Sequence, residues 1–307
     1  MRITLPTTAL VSLAVVLGLL VPMPQLGRAL QAALNFLHGP AFATLAVVLW
    51  LGSRGKSPFS GIVTVLLIWF TVAGVGLLTE FAQSWLGRQA SRDDLLADLL
   101  GATAGLLWVT ARREANGLWN SWGRRAASLS LLLIAGWFPL LNLFDSYRQR
   151  QQMPILASFE DWLEMSRWTH SEGESRLKRD PLHATHGVWS IRIDFTSGKY
   201  PAATLRWPVS DWSNDNLLLF DVYLEGPDEM RLIVKVEDRL HNKQPGDRFH
   251  RSILLKPGPQ TVRIPLAEIA SAPQQRLLDL QQITRLQLFT VRPKTSRTLY
   301  LDNIRLR

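Results

Sequence analysis

EFAQSWLGRQASRDDLLADLLGATAG, residues Glu80 to Gly105, sets charged and polar side chains between flanks apolar enough to cross a membrane. Upstream, Gly61 to Leu78 is almost wholly apolar, and Glu80 and Gln83 follow three residues apart, on neighbouring positions of one helix face. Gly87 and the polar run Arg88 to Arg92 stop that helix, and Ser91 with Asp94 three residues on is a capping-box start for the next. On this second helix Asp94, Asp98, Gly101 and Gly105 fall on one stripe. Acids that continue into small residues let a helix lie close to a neighbour while pointing carboxylates at a shared polar site. Asp93 and Asp94 by themselves are ordinary capping, since the helix dipole favours acids in a first turn. Glu80 and Asp98 need more, because an ionisable group within a hydrocarbon span costs about 2.5 to 3.5 kcal/mol on insertion scales. Arg88 is the nearest counter-charge.

Working outward, the chain divides into an apolar and a polar half. Residues 1–150 hold 12 Lys or Arg and 6 Asp or Glu, against 22 and 19 in residues 151–307. Apolar spans lie at about Leu5 to Val21, Pro40 to Leu51, Gly61 to Leu78, Leu95 to Val109 and Leu129 to Phe144, which predicts about five crossings. The first could instead be a signal peptide with Arg2 as its charge, but no Ala-x-Ala site follows promptly, so a retained helix is expected. Arg54 and Lys56 occupy one connection and Arg112, Arg113, Arg124 and Arg125 another two crossings later, which makes both cytoplasmic by the positive-inside rule. Met1 is then cytoplasmic, and the Arg88 loop and everything after Phe144 lie outside, periplasmic or extracellular. Trp119 and Trp122 read as anchors at the inner interface.

The order Glu80, Gln83, Arg88, Asp94, Asp98, Gly101 resembles the VanZ-like membrane protein family, as does His38 followed four residues later by Phe42. Two positions depart from that pattern: Leu34 and Asn35 stand where an Asp-Lys pair is usual, and Asp98 where Asn is usual. The resemblance implies a role near surface polysaccharide or peptidoglycan, with glycopeptide resistance known in the family. His38, Glu80, Gln83, Arg88, Asp93, Asp94 and Asp98 are the candidate membrane polar site: His or Glu as proton acceptor, Arg88 as anion clamp, the acids as a metal or hydroxyl site. A lone membrane His equally serves as an interhelical hydrogen-bond partner.

Asp145 to Pro154 reads as a polar tether, giving a membrane domain at 1–146, a linker at 147–156 and an external domain at 157–307. Beyond it the hydrophobic period changes to alternation. Val188 to Phe195, Leu217 to Leu224, Arg231 to Asp238, Phe249 to Leu255, Thr261 to Leu266, Ile283 to Val291 and Leu299 to Leu306 are predicted strands, divided by Gly226-Pro227, Pro245-Gly246 and Pro257-Gly258-Pro259. The expected fold is multi-domain: an all-α polytopic helical bundle, then an all-β jelly-roll sandwich. Phe159-Glu160-Asp161, the Gly187-Val188-Trp189-Ser190 step, Asp211-Trp212-Ser213 and the closing LYLDNIRL are similar to carbohydrate-binding-module-like sandwiches of the galactose-binding-like class.

Sugar binding asks for aromatic faces against pyranose C–H surfaces and a few carboxylates or amides for the hydroxyls. Trp162, Trp168, Trp189, Trp207, Trp212 and Tyr200 are the aromatic candidates; Trp189, on an alternating strand, reads as core. Trp168, Trp207 and Trp212 lie nearer strand ends or loops, where binding residues concentrate. Asp238, His241, Asp247 and His250 cluster about one hairpin loop as a ligand or metal site, so calcium in the sandwich is the one cofactor left open, against a reading as solvated loop charges. With no Cys in the chain, disulfides, thiol nucleophiles and Cys-based zinc sites are excluded. The net charge of +9 is partly topological, and acids interspersed through the soluble half argue against nucleic acid. The preferred reading is an integral plasma-membrane protein of the envelope whose partners are lipid and a glycan or cell-wall polymer. The alternatives are a membrane enzyme acting on a lipid-linked or cell-wall intermediate at the outer face, or a scaffold for envelope proteins through exposed Trp residues and edge strands.

Overall fold

A computed structural model of the chain describes residues 4–20, 27–54, 57, 59–85, 92–111, 121–196 and 198–307. It divides into two units, Met1–Phe144 and Asp145–Arg307.

The first unit is helical: α1 (Leu5–Leu20), α2 (Arg28–Phe36), α3 (His38–Ser53), α4 (Gly61–Trp85), α5 (Arg92–Thr110) and α6, which begins at Ser121 and ends at Gln151. Among the described residues three stretches are long and apolar enough to cross a membrane: Arg28–Ser53, Gly61–Gln83 and Ser121–Gln151, fewer than the five expected. α1 has 16 residues, and α5 spends its length on Arg92, Asp93, Asp94 and Asp98. The small-residue stripe does what a close helix contact requires. A Cβ placed on Gly101 would come within 2.2 Å of the Gly39 carbonyl oxygen, and one on Gly105 within 2.3 Å of that of Ala43, so α5 and α3 touch backbone to backbone. Phe42, Leu45, Ala46, Trp50, Ile68, Val72, Ala102 and Leu106 fill the space between α3, α4 and α5. Trp69 Nε1 donates to Thr103 Oγ1 at 3.0 Å, and Arg28 to Asn142 at 2.7 Å.

The polar tether expected after Phe144 is instead helix as far as Gln151. Asp145, Ser146 and Gln149 are buried, so these polar groups are spent on packing in the second unit and not on solvation.

The second unit is a sandwich of two antiparallel sheets. One is ordered β3 (Ser175–Asp180), β4 (Ser190–Phe195), β11 (Arg297–Leu306), β6 (Leu217–Leu224) and β9 (Gly258–Pro265), with β1 (Ile155–Ala157) also on β11. The other is ordered β2 (Trp168–His170), β5 (Ala202–Arg206), β10 (Ile283–Phe289), β7 (Met230–Asp238) and β8 (Phe249–Leu255). A short helix α7 (Leu266–Ala270) follows β9. Ile191, Ile193, Phe195, Leu205, Phe220, Val234, Val236, Leu286, Leu288 and Leu301 alternate inward to form one dry core. The same alternation sends Arg285, Gln287 and Phe289 of β10 the other way. Bulges between Ile283 and Arg285 and between Asp302 and Arg305 adjust the register, the second with Asn303 in the left-handed region at φ 50°.

Candidate functional site

In the helical unit the Gly39–Gly101 contact brings the first residue of α3 against the middle of α5. His38 Nδ1 and Asp98 Oδ1 lie 2.9 Å apart, with His38 2 % and Asp98 1 % exposed. The His38 ring stacks along its own helix on Phe42 at 6.5 Å. The other carboxylate oxygen, Asp98 Oδ2, is buried with no hydrogen bond among the described residues, and Gly76 is close enough that an added Cβ would sit 3.2 Å from it. Glu80, one turn further along α4, is buried and within electrostatic reach of Asp98.

The structure therefore joins His38, Asp98 and Glu80. Gln83 is buried too, but its amide donates to the Leu19 carbonyl at 2.9 Å and ties α4 to α1. Asp94 is buried near the start of α5, whereas Asp93 is exposed and serves the helix end. Arg88 lies outside the described residues.

Two of the expected sugar platforms of the sandwich, Trp212 and Trp168, are core. Trp212 is fully buried and donates from Nε1 to the Val209 carbonyl at 2.8 Å. Trp168 is buried against Phe159 at 5.6 Å. Neither ring has a face for a ligand, which corrects their candidacy. An aromatic at a strand end still packs inward when its register matches the core face, as Trp168 does opposite Leu205. Trp207 is half-buried at φ 56°, its N–H bonded to the Thr284 carbonyl. Trp189, expected in the core, packs partly against it and carries the Arg179 guanidinium 4.2 Å from its ring. Trp162 and Tyr200 are exposed.

Asp238, His241 and Asp247 do converge, but on an arginine. Arg276, far along the chain, binds both oxygens of Asp238, donates from Nε to Asp247 Oδ1 at 2.5 Å and so occupies the centre of the cluster. His241 Nδ1 meets the Asp247 carbonyl at 2.9 Å, and His250 points to solvent on β8. Arg276 and the Asn242 N–H hold the Asp247 carboxyl below its ordinary range, while the two aspartates raise Arg276. Among the described residues no three His, Asp or Glu side chains converge as metal ligands.

The site that residue-by-residue scanning missed is the outward face of the β5–β10–β7 sheet. Its rows follow from the register. Arg206 stands opposite Arg285 and Arg285 opposite Glu237; Thr204 opposite Gln287 and Gln287 opposite Lys235; Ala202 opposite Phe289 and Phe289 opposite Ile233. Three rows two residues apart span roughly 13 Å along the strands. Thr204, Lys235 and Glu237 point away from the core yet are only 7 %, 8 % and 6 % exposed, so they lie beneath the side chains around them. At its edge Tyr200 meets Phe289 edge to face at 6.3 Å. Glu237 is the hub: Lys235 Nζ lies at 2.8 Å, Arg285 at 3.1 Å, His241 Nε2 at 3.4 Å and Arg248 at 3.8 Å. Burial alone would raise the Glu237 carboxyl, but the Lys235 hydrogen bond and the surrounding cations hold it below its usual value. Burial lowers Lys235 against the pull of Glu237, and burial together with the Arg285 charge lowers Arg206. The signal was in the sequence as alternating polar positions, RLIVKVE on β7 and TRLQLF on β10, but it marks an outward face without saying which strands lie side by side on it.

The sandwich is similar to the family 11 carbohydrate-binding module from Clostridium thermocellum, solved with a β-1,3-1,4-mixed-linked tetrasaccharide, at 20 % identity over 50 % of this chain and 94 % of that chain, TM-score 0.39. A family 30 carbohydrate-binding module of a cellulosomal cellulase from the same organism is 18 % identical over 46 % of this chain and 89 % of that chain, TM-score 0.37. An exo-β-agarase is 20 % identical over 50 % of this chain and 24 % of that chain, TM-score 0.41. Likeness of this degree concerns the shape of the sandwich and assigns no ligand. No family model and no curated protein matches the chain.

Proposed function

We propose that the chain is an integral membrane protein of the cell envelope in which a VanZ-like helical unit carries a glycan-recognising sandwich on the outer side of the membrane. Support for insertion comes from large apolar side chains on the outside of the helices, among them Leu10, Ile62, Phe70, Leu78, Leu133 and Phe138. Arg124 and Arg125 in the first turn of α6 favour a cytoplasmic start for that helix and hence an external end. The observation that carries glycan recognition is the outward face of the β5–β10–β7 sheet, where polar and aromatic side chains stand in adjacent rows. It combines Tyr200 and Phe289, as apolar ring surface, with Thr204, Gln287, Glu237 and Arg285, whose donors and acceptors suit sugar hydroxyls.

The test is retention of full-length protein, in uncharged detergent, on a panel of immobilised polysaccharides. Binding to at least one polysaccharide, weakened about tenfold by Gln287→Ala through loss of a polar contact, is the expected result. No retention on any polysaccharide refutes the glycan reading. One observation favours a second reading, acid–base chemistry in the helical unit on a lipid-linked or cell-wall intermediate: Asp98, buried beside His38, has an oxygen without a hydrogen bond among the described residues.

A further inference from the structure

We infer that the glycan recognised by the β5–β10–β7 face is an anionic one, a polymer bearing carboxylate, sulfate or phosphate groups, which rests on the glycan reading above. The argument is a charge imbalance in a place where imbalance is costly. Lys235, Arg285 and Arg248 share a single carboxylate on this face, that of Glu237, and Arg206 beside them has no part in it. The neighbouring acids offer no relief: Asp238 turns to the inward side of β7, and Asp238 and Asp247 are both taken by Arg276. Arg206 has no carboxylate within ion-pair distance among the described residues and stands directly across the ladder from Arg285, a like-charge pair in partly desolvated surroundings. Like charges facing one another across a strand pair destabilise a sheet. Removing cations from water without a partner costs more still.

A ligand oxyanion between Arg206 and Arg285 would restore the balance through paired, charge-assisted hydrogen bonds, for which the planar guanidinium is suited. The Phe289 and Tyr200 rings lie two rows away on the same face, where a sugar further along the same polymer would stack. A bilayer surface fits less well. Attraction to anionic lipid works through cations that protrude toward a plane, and Lys235, at 8 % exposure, is covered by its neighbours.

The experiment uses full-length protein in nanodiscs of zwitterionic lipid, immobilised polygalacturonate as the polyanion, a neutral mixed-linkage β-glucan as the uncharged arm, and phosphatidylglycerol vesicles as the lipid arm. The expected result is retention on polygalacturonate that weakens about tenfold or more from about 0.05 to 0.5 M salt as screening shortens the reach of the cations. Arg206→Ser and Arg285→Gln each weaken it by about ten- to a hundredfold, the range a charge-assisted hydrogen bond carries. Arg206→Ser also leaves the thermal midpoint unchanged or raises it, because it relieves a repulsion, which separates lost binding from lost folding. Equal retention on the neutral glucan with both variants silent overturns the anionic assignment and leaves glycan binding standing. Retention on neither polysaccharide overturns both. Binding to phosphatidylglycerol vesicles with the same arginine dependence, and none to polygalacturonate, overturns it in favour of lipid.

Discussion

Arg167 and Asp145 in the sandwich unit, each 1 % exposed along the side chain, meet through three hydrogen bonds of 2.6 to 3.2 Å, leaving only Arg167 Nη1 over. Asp98 in the helical unit is just as deeply buried and keeps one hydrogen bond, with His38, on one of its two oxygens. Other buried sandwich carboxylates are filled as well: Glu164 accepts from the Ser158 and Phe159 N–H groups, and Asp302 from those of Thr185, His186 and Asn303. A buried charge whose hydrogen-bonding capacity is used up belongs to the architecture. One left half-used amid apolar helices is costly, and is the kind of group that sites retain for chemistry or binding. The outward face of the sandwich repeats the lesson with opposite sign, since its surplus is cationic.

That contrast can be broken at three points. The largest effect is expected at Arg167. Arg167→Met strands the Asp145 carboxylate and should cost about 3–5 kcal/mol of sandwich stability, read by denaturant unfolding followed through tryptophan fluorescence. The double variant with Asp145→Leu should recover most of that, and a single-variant cost under about 1 kcal/mol would show the pair to be open to solvent. A smaller effect, and a difference of sign, separates two aspartates. Asp238→Asn removes half of the Arg276 anchor and should cost about 1–3 kcal/mol, whereas Asp98→Asn keeps the His38 hydrogen bond, sheds a buried charge and should leave the helical unit's thermal midpoint unchanged or higher. In cells, Asp98→Asn at normal abundance should reproduce whatever phenotype deletion of the protein gives if the site performs chemistry. An unaltered phenotype would mark the group as structural.

The smallest effect is the pH dependence of the hairpin loop. Asp247 has a folded pKa depressed below the ordinary Asp value of about 3.9, so its contribution is present above that pH and lost as pH falls through the lower folded value. Asp247→Asn should therefore flatten the acid limb of the sandwich's unfolding midpoint. An unchanged acid limb would mean that Arg276 does not hold this carboxylate in solution.

Much of the sandwich was legible from period alone. The segment Leu217 to Leu224 is read and found with the same ends, and Phe249 to Leu255 likewise, because turn residues bound them: Gly226-Pro227 follows the apolar LLLFDVYL, and Pro245-Gly246 and Pro257-Gly258 flank FHRSILL. Four strands were not legible. β3, SRLKRD, offers one apolar side chain, Leu177, and is a strand because β4 pairs with it in register. β5, AATLR, is buried on both faces with residues too small to show a period. β1 and β2 have three residues each and exist only through β11 and β5. Nothing local announces Arg276 as the centre of the Asp238–Asp247 cluster, since its partners are 38 and 29 residues away.

By itself the sequence determined that an apolar helical half precedes an alternating β half, that acids are embedded among the helices, and that Gly101 and Gly105 permit close approach, because period and composition act over a few residues. That Asp98 meets His38, that Trp168 and Trp212 are core, and that polar residues from three strands share one cationic face came from the folded chain. Each of these depends on which distant segments are pressed together, and burial, register and charge balance are properties of that contact and of no single stretch of chain.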